Sequence, residues 1–518
     1  MKAITWLIFL SAFLLLRPYQ LQNTAMLYSG DDHSYLAHAT SLAFFQFPNY
    51  AKESYDIGGK IPLQSIGPSL LASPFVFAFS AIDRLCGNDI VRQRTPENIV
   101  NSWTAFGFTF ATLFYAWLTC LLIYKGLSFF FSPRISSLTV ILSLLAQGIP
   151  LYVFRRPVFS HIYELFLQSL LVFFLLKLYK KGSLVGEGQW TYGRYWREAF
   201  WVGLIIGLIS LVRQNNLLIS LTWPVILFMF YRNKISWLKM IAMIAVSYAT
   251  MAVLIFIFQI WPILVNFQDI HQYQGYLNHQ YIKKYLMTIY DPLFYIKRLG
   301  HLLWGVDWGL IFTAPYALIG LAAFFSIRKD KIFWPFFWLL LPLSVNLYVT
   351  LSYRQQGAWY GYRYLIFSLI PLIIYPLADF LTKITAKKDP RIFWGILMVA
   401  IVPVLSMLSF EGNTGNLTLK IINQGFGVTD WGNNTYQIEI YKVLFLHPAQ
   451  YLISIMKGGP LYLVYLIFIS LGHANALPSI VKQKYMVFEA GTLIKTLMIY
   501  LLPFVLLFVY KKSSARRP

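Results

Sequence analysis

The sequence predicts an all-α polytopic membrane protein, and its composition and hydropathy carry that prediction. Of its 518 residues, 58% are hydrophobic and only 12% are charged, and the mean hydropathy is +0.58. A soluble domain carries roughly twice that charged fraction, and a soluble chain of this length divides into several cores joined by polar linkers. The sequence has no such linkers. Because every backbone polar group in lipid needs an internal partner, its long apolar runs predict helices.

Apolar runs approaching ~20 residues, the length that crosses ~30 Å of hydrocarbon, predict about 12 membrane-spanning helices. The predicted spans lie near residues 3–21, 99–124, 135–153, 159–178, 198–213, 216–231, 238–262, 307–327, 332–352, 364–383, 391–410 and 490–510. The run Ile66–Ile82 is also apolar. A complete crossing there would move every later Lys- and Arg-rich loop to the outer side of the membrane, against the rule that such loops lie in the cytoplasm. We therefore expect an interfacial or re-entrant helix in that run.

The distribution of Lys and Arg predicts the orientation of these spans. With the N-terminus in the cytoplasm, most Lys and Arg fall in short inner loops, as the positive-inside rule requires. Three long segments then face outward, at about 22–98, 263–306 and 411–489. The formal net charge of +23 is therefore mainly a topology signal, and no nucleic-acid partner is predicted.

Two adjacent carboxylates, Asp31 and Asp32, follow the first predicted span and open the first outer segment. A charged side chain so close to a bilayer is energetically costly, so its presence favours a functional role, either catalytic or substrate-orienting. The residues His33–Phe45 repeat their apolar positions at helical spacing. The alternative is therefore a structural role, in which an Asp caps that helix and favours its dipole.

Several short motifs resemble those of the GT-C superfamily of membrane glycosyltransferases, which use polyprenyl-phosphate sugars and include aminoarabinose transferases, protein O-mannosyltransferases and Rgt-type enzymes. They occur in the expected order at Gly30–Leu36, Gly203–Gln214, Gly309–Pro315 and Trp359–Pro371. The resemblance implies a GT-C-like bundle with a large first extracytoplasmic loop at about 22–98. Residues 1–410 would form the catalytic transmembrane module. Residues 411–518 would form an outer loop with interfacial helices and a last span.

The resemblance also implies an activity. It is the transfer, with inversion, of a hexosyl or pentosyl group from a polyprenyl-phosphate donor to a glycan, lipid or protein acceptor. The reaction would take place at the extracytoplasmic face of a bacterial inner membrane, among membrane lipids. In the family, an acidic residue of the first loop is the base, which places that role on Asp31 or Asp32, with Asp31 favoured. Family members differ in cation use, and Asp-Asp-His lacks the spacing of a metal site. No metal ligand is therefore predicted, and a divalent cation stays an alternative.

Positive charge must also hold the leaving phosphate, and a guanidinium fork suits a phosphate well. The candidate substrate-binding residues are Tyr35, Lys60, Arg155, Arg156, His161, Glu164, Arg213, Trp359 and Arg363. The segment that starts with Phe154 has no Asp where many relatives carry an acidic residue, but His161 and Glu164 share one helical face. Each of these candidates has an alternative explanation. His161 and Glu164 could be a pair at a helix start that hydrogen-bonds to neighbouring backbone. Arg213 and Arg363 could extend from helix ends to the membrane surface, and Arg155 and Arg156 could contact lipid headgroups.

Two other functions remain as alternatives. A transporter or lipid flippase predicts charges at the membrane midplane and repeated half-domains, whereas the polar residues here cluster at the outer ends of the spans. An O-antigen ligase or polymerase typically has a late loop rich in Arg and His, and segment 411–489 contains no Arg. No Walker loop, dinucleotide fingerprint or nucleophile elbow occurs in the sequence.

Overall fold

The computed structural model describes residues 30–50, 62, 64–88, 102–155, 157–184, 192–233, 235–266, 291–304, 309–352, 362–387, 389–413, 464, 467–468, 471–473 and 501–512. These residues form helices and turns and no β-strand. The predicted span at 3–21 and much of the one at 490–510 lie outside the described residues. Most of segment 411–518 does too, so the domain boundary near 410 stays a prediction.

The helices follow the predicted order along the chain. The first outer segment holds α1 (Gly30–Ala43) and α2 (Gly67–Leu85). The later helices are α3 (Trp103–Leu127), α4 (Pro133–Val140), α5 (His161–Leu184), α6 (Tyr192–Val212), α7 (Ile219–Tyr231), α8 (Trp237–Ile255), α9 (Trp261–Asn266), α10 (Pro292–Trp304), α11 (Leu310–Thr313), α12 (Pro315–Phe324), α13 (Phe333–Leu340), α14 (Leu343–Ser352), α15 (Arg363–Thr385) and α16 (Pro390–Asn413). Shorter π-helical and 3₁₀ turns join several of them, and 501–512 is also helical.

Six stretches of the described chain are helical, long and apolar enough to cross a membrane. They are Trp103–Leu127, His161–Lys180, Tyr195–Val212, Trp237–Asn266, Phe333–Ser352 and Arg363–Thr385. Shorter apolar helices lie at Pro133–Leu145, Pro315–Ile327 and Pro390–Val404. All nine fall on predicted spans, which confirms an all-α polytopic membrane protein. The total of twelve spans stays a prediction.

The buried share of each span distinguishes the central helix α15 from the peripheral helix α8. The span in α15 is 83% buried, whereas the span Trp237–Asn266 is only 17% buried. Large apolar side chains of α8 are exposed, including Trp237 at 67% and Leu238 at 77%. An apolar face that finds no protein partner in a membrane helix contacts lipid at no cost. We therefore place α15 at the centre of the bundle and α8 at its lipid-facing edge.

The run predicted as an interfacial or re-entrant helix forms α2, which packs antiparallel along the first half of α3. Phe75 contacts the ring of Phe110 at 5.8 Å, and Phe79 contacts that of Phe106 at 5.4 Å. At the end of α2, buried Asp83 accepts hydrogen bonds from the backbone N–H groups of Trp103 and Thr104 at 3.0 and 2.7 Å. A carboxylate that binds free N–H groups at a helix start is favourable, so Asp83 has a structural role.

Residues predicted to face the same side of the membrane meet at the same end of the bundle. At the end predicted to be cytoplasmic, the rings of Phe130 and Tyr179 lie 5.7 Å apart, and the Lys511 ammonium lies 4.6 Å from the Phe393 ring. The candidate residues described below converge at the other end. This agrees with the predicted alternation of spans, while the orientation relative to the cytoplasm stays a prediction.

Helices α6 and α8 approach closely at Gly203, one of the glycines of the predicted family motif. A Cβ atom there would overlap the carbonyl oxygen of Ser247, whose hydroxyl donates to the carbonyl of Ala199 at 2.9 Å. Small residues allow such close backbone contacts between membrane helices. The glycine is therefore a packing requirement of this helix pair.

We expect Gly203→Ala to destabilise the protein by about 2 kcal/mol, because the added methyl group forces the two backbones apart. Thermal unfolding in detergent measures this loss. Gly395→Ala in α16 is the matched control, since a Cβ atom added there meets no neighbouring helix of the described chain within 4 Å, and alanine favours a helix. Equal unfolding temperatures for the two variants would contradict the conclusion that α6 and α8 require a glycine at position 203.

Candidate functional site

Three of the predicted residues, His161, Glu164 and Arg213, form one contact group. His161 and Glu164 open α5, and Arg213 stands in extended backbone between α6 and the 3₁₀ turn Gln214–Leu218. The Arg213 Nε atom lies 2.9 Å from the Glu164 Oε2 atom, and its Nη2 atom lies 2.6 Å from His161 Nδ1. A guanidinium can only donate, so His161 Nδ1 accepts this bond and the ring proton sits on Nε2. The pair that opens α5 is therefore bound to Arg213, not to backbone alone.

The Glu164 carboxylate is fully buried and accepts further hydrogen bonds from two other helical segments. Its Oε1 atom accepts from Asn216 Nδ2 at 2.9 Å and from Ser368 Oγ at 2.5 Å. Asn216 in turn accepts at Oδ1 from Asn346 Nδ2 at 3.2 Å. A buried charge is tolerated when it is both paired and hydrogen-bonded. We call the residues His161, Glu164, Arg213, Asn216, Asn346 and Ser368 the Glu164 network.

Arg363 lies beside this network at the start of α15. Its Nη2 atom donates to the Tyr364 hydroxyl at 3.1 Å, and its guanidinium lies 5.1 Å from the Phe159 ring centre. The Tyr364 ring sits between two cations, 4.6 Å from the Arg213 guanidinium and 5.1 Å from that of Arg363. Arg363 is only 4% exposed. Two guanidinium groups of the described chain thus lie on either side of one tyrosine ring, and Glu164 is the ion-pair partner of Arg213.

The first outer segment docks against the residue that precedes Arg213. The Ser65 hydroxyl donates to the carbonyl of Val212 at 2.6 Å. At Gly67, an added Cβ would overlap the backbone of Leu211 and Val212. The start of α2 therefore fixes the end of α6, and only glycine fits at this contact.

The predicted catalytic pair lies in the first turn of α1. Asp32 is 1% exposed and Tyr35 is 4% exposed. The Tyr35 carbonyl accepts a hydrogen bond of 2.6 Å from Ser69, which ties α1 to α2. The backbones of Asp31 and Arg155 are helical, but their side chains lie outside the described part of the structure. Lys60, Arg156 and Trp359 lie outside the described residues altogether.

His38, two turns after the aspartates, is buried in a polar cluster of the first outer segment. Its Nδ1 atom lies 2.8 Å from the Tyr50 hydroxyl, and its Nε2 atom lies 2.9 Å from the carbonyl oxygen of Gln64. Since a carbonyl only accepts, Nε2 carries the ring proton and Tyr50 donates to Nδ1. Burial lowers the pKa of His38 to about 4, against small raising effects of its backbone contacts. The imidazole is therefore neutral at physiological pH.

We expect the protein to lose about 3 kcal/mol of stability as the pH falls from 6.5 to 4, because of His38 alone. The folded form has the lower pKa, so the unfolded form binds more protons across this window and acidification favours it. The unfolding temperature in detergent between pH 4 and 7 measures the loss. His38→Gln keeps a donor at the position of Nε2 and removes the titration. An unchanged pH profile in His38→Gln would contradict the prediction.

Several residues of the site have no role that is predicted from the sequence. Asn216 follows Arg213 within a short polar run, which is a usable signal. Asn346, Ser368 and Phe367 carry no such signal, because they belong to apolar helices far along the chain. His161 stacks between Phe159 and Phe367 at ring distances of 5.7 and 5.1 Å.

The described part of this region holds no cluster of side chains that would bind a metal ion. Across the part of the chain that the structure describes, no three His, Cys, Asp or Glu side chains lie together as metal ligands would.

Comparison with known proteins identifies solved structures with a similar fold. No family model matches the sequence, and no curated protein matches it. ArnT from Cupriavidus metallidurans, bound to undecaprenyl phosphate, aligns over 99% of this chain and 78% of its own, with 11% identity and a TM-score of 0.50.

Structures of the Archaeoglobus fulgidus oligosaccharyltransferase are also similar. The complex with an inhibitory peptide and a dolichol-phosphate aligns over 94% of this chain with 12% identity and a TM-score of 0.41. The complex with Zn and sulfate aligns over 83% with 13% identity and a TM-score of 0.45. The chain spans less than three fifths of the archaeal enzyme's length, at 59% and 58%. The likeness to ArnT is one of fold, and it shows that the protein is a multi-pass membrane protein with the GT-C fold that its sequence motifs predicted.

Proposed function

We propose that the protein is an integral membrane glycosyltransferase that moves a sugar from a polyprenyl-phosphate donor to an extracytoplasmic glycan, lipid or protein acceptor. The observation that carries the proposal is the meeting of Arg213 and Arg363 at one end of a GT-C fold, around the shared ring of Tyr364. A structure of the same fold binds undecaprenyl phosphate. Two guanidinium groups on one tyrosine ring suit the binding of an anionic phosphate group.

In the proposed reaction, Asp31 or Asp32 takes the proton of the acceptor hydroxyl. The acceptor oxygen then forms a bond to the anomeric carbon of the donor sugar while the bond from that carbon to the phosphate oxygen breaks. Because this is a single displacement, the anomeric configuration inverts. The departing lipid phosphate carries the negative charge, which Arg213 and Arg363 stabilise.

The other candidate residues are assigned to substrate contacts in this proposal. The Glu164 network fixes the position of Arg213, while Tyr35 lies on the same helix as the aspartates. Contacts with the lipid, its phosphate or the acceptor are assigned to Lys60, Arg155, Arg156 and Trp359. The proposed setting is a bacterial inner membrane with the site on its outer face. A divalent cation remains an additional candidate partner of the carboxylates.

Transfer of label from a polyprenyl-phosphate sugar tests the enzyme class directly. Proteoliposomes that contain the purified protein and a donor with a radiolabelled sugar are expected to form a labelled product that no longer contains the lipid phosphate. The control is movement of the intact labelled donor between leaflets. Movement of the donor without any bond cleavage would favour a flippase and contradict the proposal.

A further inference from the structure

A partly open cavity of about 60 Å³ lies where the first outer segment meets the ends of α6 and α8. The lining includes the polar and aromatic residues His38, Tyr50, Gln64, Gln214, Phe258 and Gln259. Its remaining described lining consists of Ser65 and apolar residues, and it includes no Asp, Glu, Lys or Arg. The cavity therefore offers hydrogen-bonding groups without charge.

The chemistry of the lining is that of a site for hydroxyl groups. Each glutamine amide has two donors and an acceptor with two lone pairs, which match the mixed donor and acceptor character of a sugar hydroxyl. His38 is neutral, because burial holds its pKa at about 4. Phe258 supplies an aromatic ring of the kind that packs on the apolar face of a pyranose.

The backbone near Phe258 supports a functional reading of the cavity. Phe258 and Gln259 lie in a π-helical turn, Phe256–Ile260, which interrupts the long helical span that begins with α8. Such turns are rare and occur frequently at functional sites. The turn places both residues in the lining of the cavity, whereas most of this span is not buried against other helices of the described chain.

The cavity is adjacent to the proposed phosphate site. Leu211 and Gln214, which both line it, flank Arg213 in the chain. In a polyprenyl-phosphate sugar a single oxygen joins the ring to the phosphorus atom. A phosphate held by Arg213 therefore brings its sugar into the immediate neighbourhood of this cavity.

The volume limits what can enter. At about 10–15 Å³ for each water, the cavity has room for about five water molecules. That space suits the hydroxyl-bearing edge of one sugar ring, and the rest of a ligand would extend from the open side of the cavity. A structural explanation is a crevice filled only with ordered water.

We infer that this cavity receives the uncharged sugar ring of the lipid-linked donor, with the amides of Gln214 and Gln259 binding its hydroxyl groups. The inference rests on the proposed function and adds the class of sugar. A carboxylate on the ring is disfavoured, because the described lining offers no cation to pair with it and removing an unpaired charge from water is costly. An ammonium group on the ring is disfavoured as well, because the described lining offers no carboxylate to pair with it.

Binding measurements with two kinds of lipid test the inference without relying on transfer. The full-length protein in nanodiscs is titrated with undecaprenyl phosphate and with undecaprenyl phosphates that carry glucose, galactose, mannose or glucuronic acid. We expect at least one uncharged hexosyl lipid to bind roughly tenfold more tightly than undecaprenyl phosphate, which corresponds to one or two added hydrogen bonds. The glucuronosyl lipid is expected to show no such gain.

The variant Gln259→Leu keeps the side-chain volume and removes the amide. It is expected to lose most of the tenfold gain while binding of undecaprenyl phosphate stays unchanged. Thr250→Val in α8 is the matched control, because its hydroxyl donates within its own helix and does not line the cavity. Gln214→Ala serves as a second variant if Gln259→Leu does not fold, since Gln214 is exposed.

The outcomes separate this inference from the proposed function. Failure of the wild-type protein to bind any of the lipids overturns both. Tight binding of undecaprenyl phosphate without a gain from any uncharged sugar overturns only the inference. A gain that survives in both Gln259→Leu and Gln214→Ala also overturns only the inference.

Discussion

Replacement of the proposed catalytic carboxylate by Asn is expected to lower the turnover number by about a hundred- to ten-thousandfold, the usual contribution of a general base. Asp31 and Asp32 are adjacent in α1, and neighbouring side chains on a helix point about 100° apart. In the proposed reaction, only one of them acts on the acceptor hydroxyl. We therefore expect a large loss in one of Asp31→Asn and Asp32→Asn and a loss below about tenfold in the other.

The measurement is label transfer from a polyprenyl-phosphate sugar, with turnover and donor affinity determined separately. Because Asn is isosteric with Asp, binding of undecaprenyl phosphate is expected to change little in either variant. Undiminished transfer in both variants would eliminate the proposed base. Equal large losses in both would contradict a single base and favour a paired role such as cation binding.

Removal of the Glu164 charge is expected to have the largest effect on stability. In Glu164→Gln, the Arg213 guanidinium keeps its charge while its side chain is only 13% exposed. Removing one partner of a buried ion pair typically lowers the free energy of unfolding by about 3–5 kcal/mol. We expect a loss of that size in Glu164→Gln, measured by unfolding in detergent.

A double-mutant cycle with Arg213→Gln tests whether the pair acts as a unit. The double variant Glu164→Gln/Arg213→Gln is expected to be more stable than Glu164→Gln alone, because no unpaired charge remains. It is also expected to lose affinity for undecaprenyl phosphate, since the cation is gone. Simple addition of the two stability losses would show that the residues are not coupled.

An exposed ion pair in the same protein provides the control. Lys383 and Asp379 lie 2.6 Å apart on the surface of α15, with side chains 60% and 22% exposed. Exposed pairs at this helical spacing contribute about 0.3–0.5 kcal/mol. Asp379→Asn should therefore leave the unfolding temperature nearly unchanged under the conditions in which Glu164→Gln lowers it.

Hydropathy predicted the positions of helices well because it is a local property of the chain. The central span, predicted at 364–383, is the helix Arg363–Thr385, and the span predicted at 159–178 begins at His161 in α5. The helix expected in the first outer segment is α1, Gly30–Ala43. Each follows from runs of neighbouring residues, and no knowledge of helix packing was needed.

The candidate site was predictable only as a set of residues at helix ends. Positions at the outer ends of spans singled out His161, Glu164, Arg213 and Arg363, and the structure brings these four side chains together. From the sequence, Arg213 is predicted to bind a phosphate, with snorkelling at a helix end as the alternative. The structure adds that Glu164 is its ion-pair partner.

By itself, the sequence determined the class of this protein, the order of its helices and the polar residues that stand at their ends, because each of these depends on short stretches of chain and on the cost of charge in lipid. Only the tertiary structure decided which of those residues meet. Arg213 and Ser368 both contact Glu164 although they are far apart in sequence. Such contacts depend on how helices are arranged around α15, and hydropathy is the same for many arrangements.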